Sequence, residues 1–222
     1  MQRAQRYVRR RRVWPGASPE QVESTDGTSL PASALPAGNA PLQGRRRRSH
    51  FDERLDATRQ LVGLTPEDEA CIDDSRSPIA AHIGDVADDV YRGLLAQPET
   101  AAHFADARGV IDGGQIAMRR ETFEEWLRSV VDNPLDAETA EYLASVGHAH
   151  VRPEHTEHRI KARYLVSTIS RVQALFTVIL SGSYSEPEKL GRYVTAWNKR
   201  LMIHLDLLLA VYGATESTAH WY

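Results

Sequence analysis

The sequence predicts an all-α domain, and three observations carry that prediction. From residue 50 onward, apolar residues recur every three or four positions over most of the chain. Helix start signals stand in front of several of these stretches. No segment alternates apolar and polar residues as a half-buried strand would. The first 49 residues are different, being rich in Pro, Gly, Ala, Ser and Arg with almost no apolar periodicity. Such a segment cannot bury enough surface to offset its chain entropy, so residues 1–49 are expected to be a disordered, arginine-rich tail.

The elements follow in order. A first helix is expected over about Phe51–Val62. Thr65-Pro66-Glu67-Asp68 opens a second, with a cap residue followed by proline at the first helical position, and this helix is expected to reach about Asp74. Ile79, Ile83, Val86, Val90, Tyr91, Leu94 and Leu95 then mark a strongly amphipathic helix ending near Pro98. A short turn at Glu99–Phe104 follows, and Gly113-Gly114 breaks the chain. The next helix carries Ile116, Phe123, Trp126, Leu127 and Val130 on one face. Asp136 caps a helix that runs to His150, just before Pro153. A long helix is expected over Thr156–Leu180, with Ile160, Tyr164, Leu165, Ile169, Val172, Leu175, Phe176 and Ile179. Ser185-Glu186-Pro187-Glu188 reads as a capping box for the last helix. Its stripe is Leu190, Val194, Trp197, Leu201, Leu205, Leu208 and Tyr212, and Gly213 is expected to stop it.

Composition narrows the function. Residues 1–50 carry ten arginines against Glu20, Glu23 and Asp26, a net charge of +7, while the remainder has a net charge of −10. The runs Arg9–Arg12 and Arg45–Arg48 suit nucleic acid or an anionic surface, although a solvated tail explains them equally well and is preferred. Cys71 is the single cysteine, which excludes an intrachain disulfide and a cysteine-based metal cage, and fits a reducing cytoplasm. The arginine-rich start is followed by Trp14-Pro15-Gly16 and not by the apolar run of a secretory signal. The stretches Tyr164–Leu180 and Leu201–Tyr212 are interrupted by Arg171, Gln173, His204 and Asp206, so both read as buried helices and not as membrane spans. No glycine-rich phosphate loop is present. His204 and Asp206 are expected to face solvent or an interface, and Trp197 to sit in the core or a dimer contact.

His150 is the informative residue. Leu143, Val146 and Gly147 precede it by seven, four and three positions, so all four share one apolar helix face. An imidazole there needs a partner for each ring nitrogen, and a core histidine bonded to a carbonyl is the simpler explanation of His150 alone. His148, His155 and His158 lie close in sequence and suggest zinc. His148 and His150, however, are about 200° apart around a helix and cannot chelate one ion while the helix persists.

These residues carry a family resemblance. Val146-Gly147-His148-Ala149-His150-Val151-Arg152 resembles the proximal-histidine segment of protoglobins and of the globins in globin-coupled sensors, which places the haem ligand at His150. Ala162 and Tyr164 fall on that family's small and aromatic positions in the next helix. Val86-Ala87-Asp88-Asp89-Val90-Tyr91, continuing through Leu94-Leu95 to Pro98-Glu99-Thr100, resembles the distal helix, which contributes a tyrosine above the haem, here Tyr91. Phe123 matches the bulky distal-pocket residue, and Leu175 and Ile179 occupy pocket-facing positions of the long helix. The resemblance spans about residues 50–213, with 214–222 a short C-terminal tail. It departs at Pro153-Glu154, at Arg159-Ile160 and at Val90.

The resemblance implies a globin-like helical sandwich with an extra N-terminal helix, binding one haem b through the metal ligand His150. It implies reversible binding of a diatomic gas (dioxygen, carbon monoxide or nitric oxide) as a sensor or carrier, and a homodimer through the last two helices, which the wide apolar stripe from Leu190 to Tyr212 supports independently. A signal would pass through that dimer or a separate partner. Two alternatives belong to other classes. One is a haem enzyme acting on nitric oxide or a reactive oxygen or nitrogen species, and the other is a haem-free globin-like interaction module.

Overall fold

The computed structural model describes residues 49–105, 108–151 and 160–216, with side chains to 212. Residues 1–48 of the predicted tail 1–49, the segment carrying Pro153, His155, Thr156 and His158, and residues 217–222 lie outside the described residues. Among those described, every regular element is helical and the one β contact is an isolated bridge between Ala105 and Ile111.

The chain forms α1 (His50–Leu61), α2 (Pro66–Ala81), α3 (Ile83–Ala96), the short α4 (Pro98–Ala101) running into a 3-10 turn (Ala102–Phe104), α5 (Gly113–Asp132), α6 (Ala137–Val151), α7 (Ala162–Ser183) and α8 (Pro187–Glu216). Local chemistry sets most of the starts. Ser49 and Thr65 each form a reciprocal capping box, with Asp52 and Asp68 respectively. Asp112 accepts from the Gly114 N–H, and Asp136 from the Thr139 N–H. Gly63, at φ +64°, makes the left-handed turn between α1 and α2 that only glycine adopts cheaply.

Four expectations need correcting. The second helix does not stop at Asp74 but continues to Ala81 with Pro78 inside it. Proline has no N–H for the Asp74 carbonyl one turn earlier, and the Tyr184 hydroxyl donates to that carbonyl at 3.3 Å instead. Gly113 and Gly114 open α5 and do not merely interrupt the chain. The long helix starts at Ala162, because Ile160 and Lys161 are non-helical. The last helix runs through Gly213 to Glu216.

α8 is the centre of the packing, lying against α1, α2, α5, α6 and α7, while α3 packs on α5 and α7. A helix with so many neighbours buries more than one stripe. Trp197, Leu201, Ile203, His204 and Leu207 are all at most 1% exposed, which overturns the expectation that His204 faces solvent or an interface. Asp206 is also an internal anchor. It accepts from Arg54 Nε at 2.8 Å and from Thr58 Oγ1 at 2.7 Å, tying α1 to α8. Trp197 is core, and its Nε1 donates to Ser75 Oγ at 2.9 Å. Arg200, 2% exposed, reaches across to the end of α5. Its Nε donates to the Val130 carbonyl at 2.6 Å and its guanidinium also bonds the Asn133 carbonyl, satisfying groups that a helix C-terminus leaves open.

α7 differs. It is the described helix long and apolar enough to cross a bilayer by length and composition, yet only 28% of its most apolar stretch is buried. Val166 and Val178 are 46% and 68% exposed. The expectation of a buried helix therefore holds for α8 and not for the outer face of α7. Arg171, midway along α7, pairs with Asp89 of α3 at 2.6 Å.

Candidate functional site

α6 delivers His150 at its last turn. The helix can lie close to α8 because residue 147 is glycine, since a Cβ there would stand 2.5 Å from the Leu208 carbonyl oxygen and 2.9 Å from Val211 Cγ2. The Val-Gly pair before the histidine thus has a packing reason independent of any family. His150 Nδ1 lies 2.7 Å from the Val146 carbonyl oxygen. A carbonyl only accepts, so Nδ1 carries the proton and Nε2 holds the lone pair. Burial pushes the imidazole below the ordinary histidine range, the Val146 hydrogen bond opposes that, and the Arg119 charge adds to it. His150 is therefore a neutral imidazole with its second nitrogen available, the form in which histidine ligates a metal.

The far end of His150 is fixed as well. The Ile160 N–H donates to the His150 carbonyl at 3.2 Å, and the Ile160 carbonyl accepts from the Tyr212 hydroxyl at 2.9 Å. Backbone and side-chain bonds together tie the end of α6 to the approach to α7 and to α8.

Tyr91 comes from α3, whose buried face is Ile83, Val86, Ala87, Val90 and Tyr91. Its ring packs against Phe104 at 5.8 Å between centroids and meets Phe123 edge-on at 5.9 Å. Its hydroxyl makes no hydrogen bond among the described residues, and burial raises its ionisation well above the ordinary phenol range. It stays a neutral donor. Phe123 stacks on Trp126 at 5.3 Å, and Trp126 meets His204 edge-on at 6.1 Å.

Of the sequence-derived residues, Tyr91 and Phe123 are in direct ring contact. His150 and Tyr91 both lie within the field of Arg119. Leu175 and Ile179 are half-buried, one turn apart on α7, and pack against the core without joining those ring contacts. Tyr164 is tied to the Pro98-Glu99-Thr100 segment, since its hydroxyl donates to Glu99 Oε2 at 2.9 Å. His148 is exposed, and no cluster of three or more metal-ligating side chains occurs among the described residues. A cleft of about 220 Å³ between α1 and the start of α6, lined by Asp52, Leu55, Leu135 and Asp136, lies at the opposite end of α6 from His150.

Sequence reasoning did not single out Phe104, Arg119 or the Trp126–His204 pair. The signal for Arg119 was present, since it lies one helical turn before Phe123 and so shares its face. Phe104 had no such signal, because it reaches Tyr91 from a 3-10 turn outside any long periodic segment.

The donor set suits a haem. Among the described residues it comprises a neutral imidazole whose second nitrogen has no partner, a buried phenol without a hydrogen bond, and aromatic and aliphatic neighbours with no carboxylate among those named. Among proteins of curated function, none matches this chain significantly. Among solved structures, the globin domain of the Geobacter sulfurreducens globin-coupled sensor is similar, with a TM-score of 0.60 and 24% identity over 71% of this chain and 96% of that one. At that identity the likeness shows a shared globin fold. The sequence model of the protoglobin family matches residues 51–218, most of the chain and all of the helices except the first residue of α1. The chain belongs to the protoglobin family.

Proposed function

We propose that residues 50–213 bind one haem b through His150 and reversibly hold a diatomic gas in the space beside Tyr91 and Phe123, as a sensor or carrier. The observation that carries this reading is the 2.7 Å bond from His150 Nδ1 to the Val146 carbonyl, which fixes the tautomer and leaves Nε2 as the donor. Haem, when bound, supplies an iron with a coordination position open to a small ligand. The chain's own groups do the rest. His150 would supply the ligating nitrogen, and Tyr91 would offer a hydrogen-bond donor that no group among the described residues has claimed. Phe123, Leu175 and Ile179 wall the space and exclude water.

The test is the absorption spectrum of the purified full chain and of His150→Ala. The parent should show a Soret band, and the variant should lose haem or change its ferrous spectrum in buffer without imidazole. Unchanged haem content and an unchanged spectrum would sink the assignment. Residues 1–49 contribute nothing to haem binding in this reading, so a chain starting at Arg48 should behave as the parent. If the tail acts, its +7 charge suits an anionic partner, with affinity that falls as salt rises.

The apolar outer face of α7 supports a homodimer through α7 and α8. Of the α8 stripe, Trp197, Leu201, Leu208 and Tyr212 are already at most 5% exposed within one subunit, which leaves half-buried Leu190, Val194 and Leu205 as its contribution. Val166 and Val178 are the side chains a second copy would cover. Light scattering at micromolar concentration should give twice the chain mass, and a single species near 24.8 kDa would reject the dimer. A signal, if there is one, passes through that contact or a separate partner, in a cytoplasmic setting.

A further inference from the structure

α5 carries two adjacent arginines with opposite surroundings. Arg120 is neutralised, with Nε donating to Asp88 Oδ1 at 2.5 Å and a second nitrogen 2.7 Å from Glu124 Oε1. Arg119 has no ion pair among the described residues. It is half-buried, and its guanidinium carbon lies 5.7 Å from the centre of the Phe104 ring. That ring packs on Tyr91, Tyr91 meets Phe123, and Phe123 stands one turn along the same helix face from Arg119. The cation therefore sits on the aromatic cluster that packs around the Tyr91 ring. Its field also reaches His150. A guanidinium is a planar cation that offers five N–H donors. Set over the Phe104 ring and without a carboxylate partner among the described residues, it is complemented by an anion.

We propose that Arg119 makes this pocket selective for small monovalent anions, by placing a positive charge that no described carboxylate pairs with, and charge-assisted N–H donors, beside the position where an exogenous ligand is held. Tyr91 discriminates polar from apolar ligands by a neutral hydrogen bond, whereas Arg119 discriminates by charge. This deepens the haem reading and rests on it.

The experiment uses the full chain loaded with ferric haem and titrated with azide, an anion, and separately with imidazole, a neutral ligand, followed by the Soret shift. The variants are Arg119→Met, which keeps the length and loses the charge, and Arg119→Lys, which keeps the charge. Azide Kd should rise on the order of tenfold in Arg119→Met, the size expected for loss of a charged hydrogen bond. Imidazole affinity should barely move, and Arg119→Lys should recover most of the azide affinity. Haem transfer to apomyoglobin is measured on the same samples. Unchanged azide affinity in Arg119→Met, or equal weakening for azide and imidazole, overturns the proposal. So does faster haem loss with azide affinity intact, which assigns the guanidinium to the haem carboxylates. A parent chain that takes up no haem overturns this proposal together with the reading beneath it, whereas the other failures leave that reading standing.

Discussion

The end of α6 and the wall formed by α3 and α5 are built in opposite styles. At the end of α6, polar groups are paired in sequence: His150 Nδ1 with Val146, the His150 carbonyl with Ile160, and the Ile160 carbonyl with Tyr212. Packing there is so close that residue 147 has no room for a methyl group. In the second region, the Tyr91 hydroxyl and the Arg119 guanidinium make no hydrogen bonds among the described residues. The aromatic run behind them ends in further unpaired groups, Trp126 Nε1 and both nitrogens of His204. A buried polar group without a partner costs about 1–3 kcal/mol. The contrast teaches where this fold spends its stability. One wall is built to hold a single geometry, and the other keeps donors in reserve.

The comparison breaks most directly at Gly147. In Gly147→Ala the new Cβ meets a backbone oxygen, which cannot rotate away as a flexible side chain would. We expect a loss of about 3 kcal/mol, at the upper end for overpacked cores, seen as a lower midpoint in urea unfolding. Haem should also be lost faster, because separating α6 from α8 moves His150. Unchanged stability would mean that the two helices are not in the close contact described.

His204 sharpens the comparison through pH. Burial, with a smaller contribution from the Arg200 charge, pushes its pKa down to about 3. Between that value and the ordinary histidine pKa near 6.5, the unfolded chain binds a proton that the folded chain refuses, so stability falls as pH falls through this window. The contribution amounts to about 2 kcal/mol between pH 8 and pH 5. His204→Leu should flatten that part of the pH–stability curve, and an equally steep curve in the variant would place the proton elsewhere.

Tyr91→Phe should have the smallest effect on stability, within about 1 kcal/mol, because the hydroxyl removed has no protein partner to strand. Its effect on ligand release should be larger. Dioxygen should leave on the order of tenfold faster, while carbon monoxide, a poorer acceptor, is less affected. Equal dioxygen dissociation rates in the two proteins would mean that the hydroxyl points away from the ligand.

Much of this was legible in the sequence. Local signals, Thr65 and Asp136 as caps and the period through Ile83–Tyr91, gave helix identities and several starts, and the histidine in phase with Leu143, Val146 and Gly147 led to His150. Long-range compensation was not legible. Nothing near Pro78 reveals that Tyr184, more than a hundred residues away, will take up the carbonyl that the proline leaves open. The interior place of His204 and Arg200 was hidden for a related reason. A polar residue on a helix reads as solvent-facing only while the helix has a solvent-facing side, and α8, with five neighbours, has little of one through its middle. The same helix limits the dimer argument, because a wide apolar stripe cannot say how much of it is covered from within and how much is left for a second copy.

The central place of α8 also has a temporal consequence. Ribosomes release a chain from its N-terminus, so α1, α2, α5 and α6 emerge before the helix they pack against exists. Each must wait with its apolar face uncovered, and α2 waits for Tyr184 as well. The core of this protein therefore closes late in synthesis, and the interval before α8 arrives is when the nascent chain is most exposed to aggregation and most in need of chaperones.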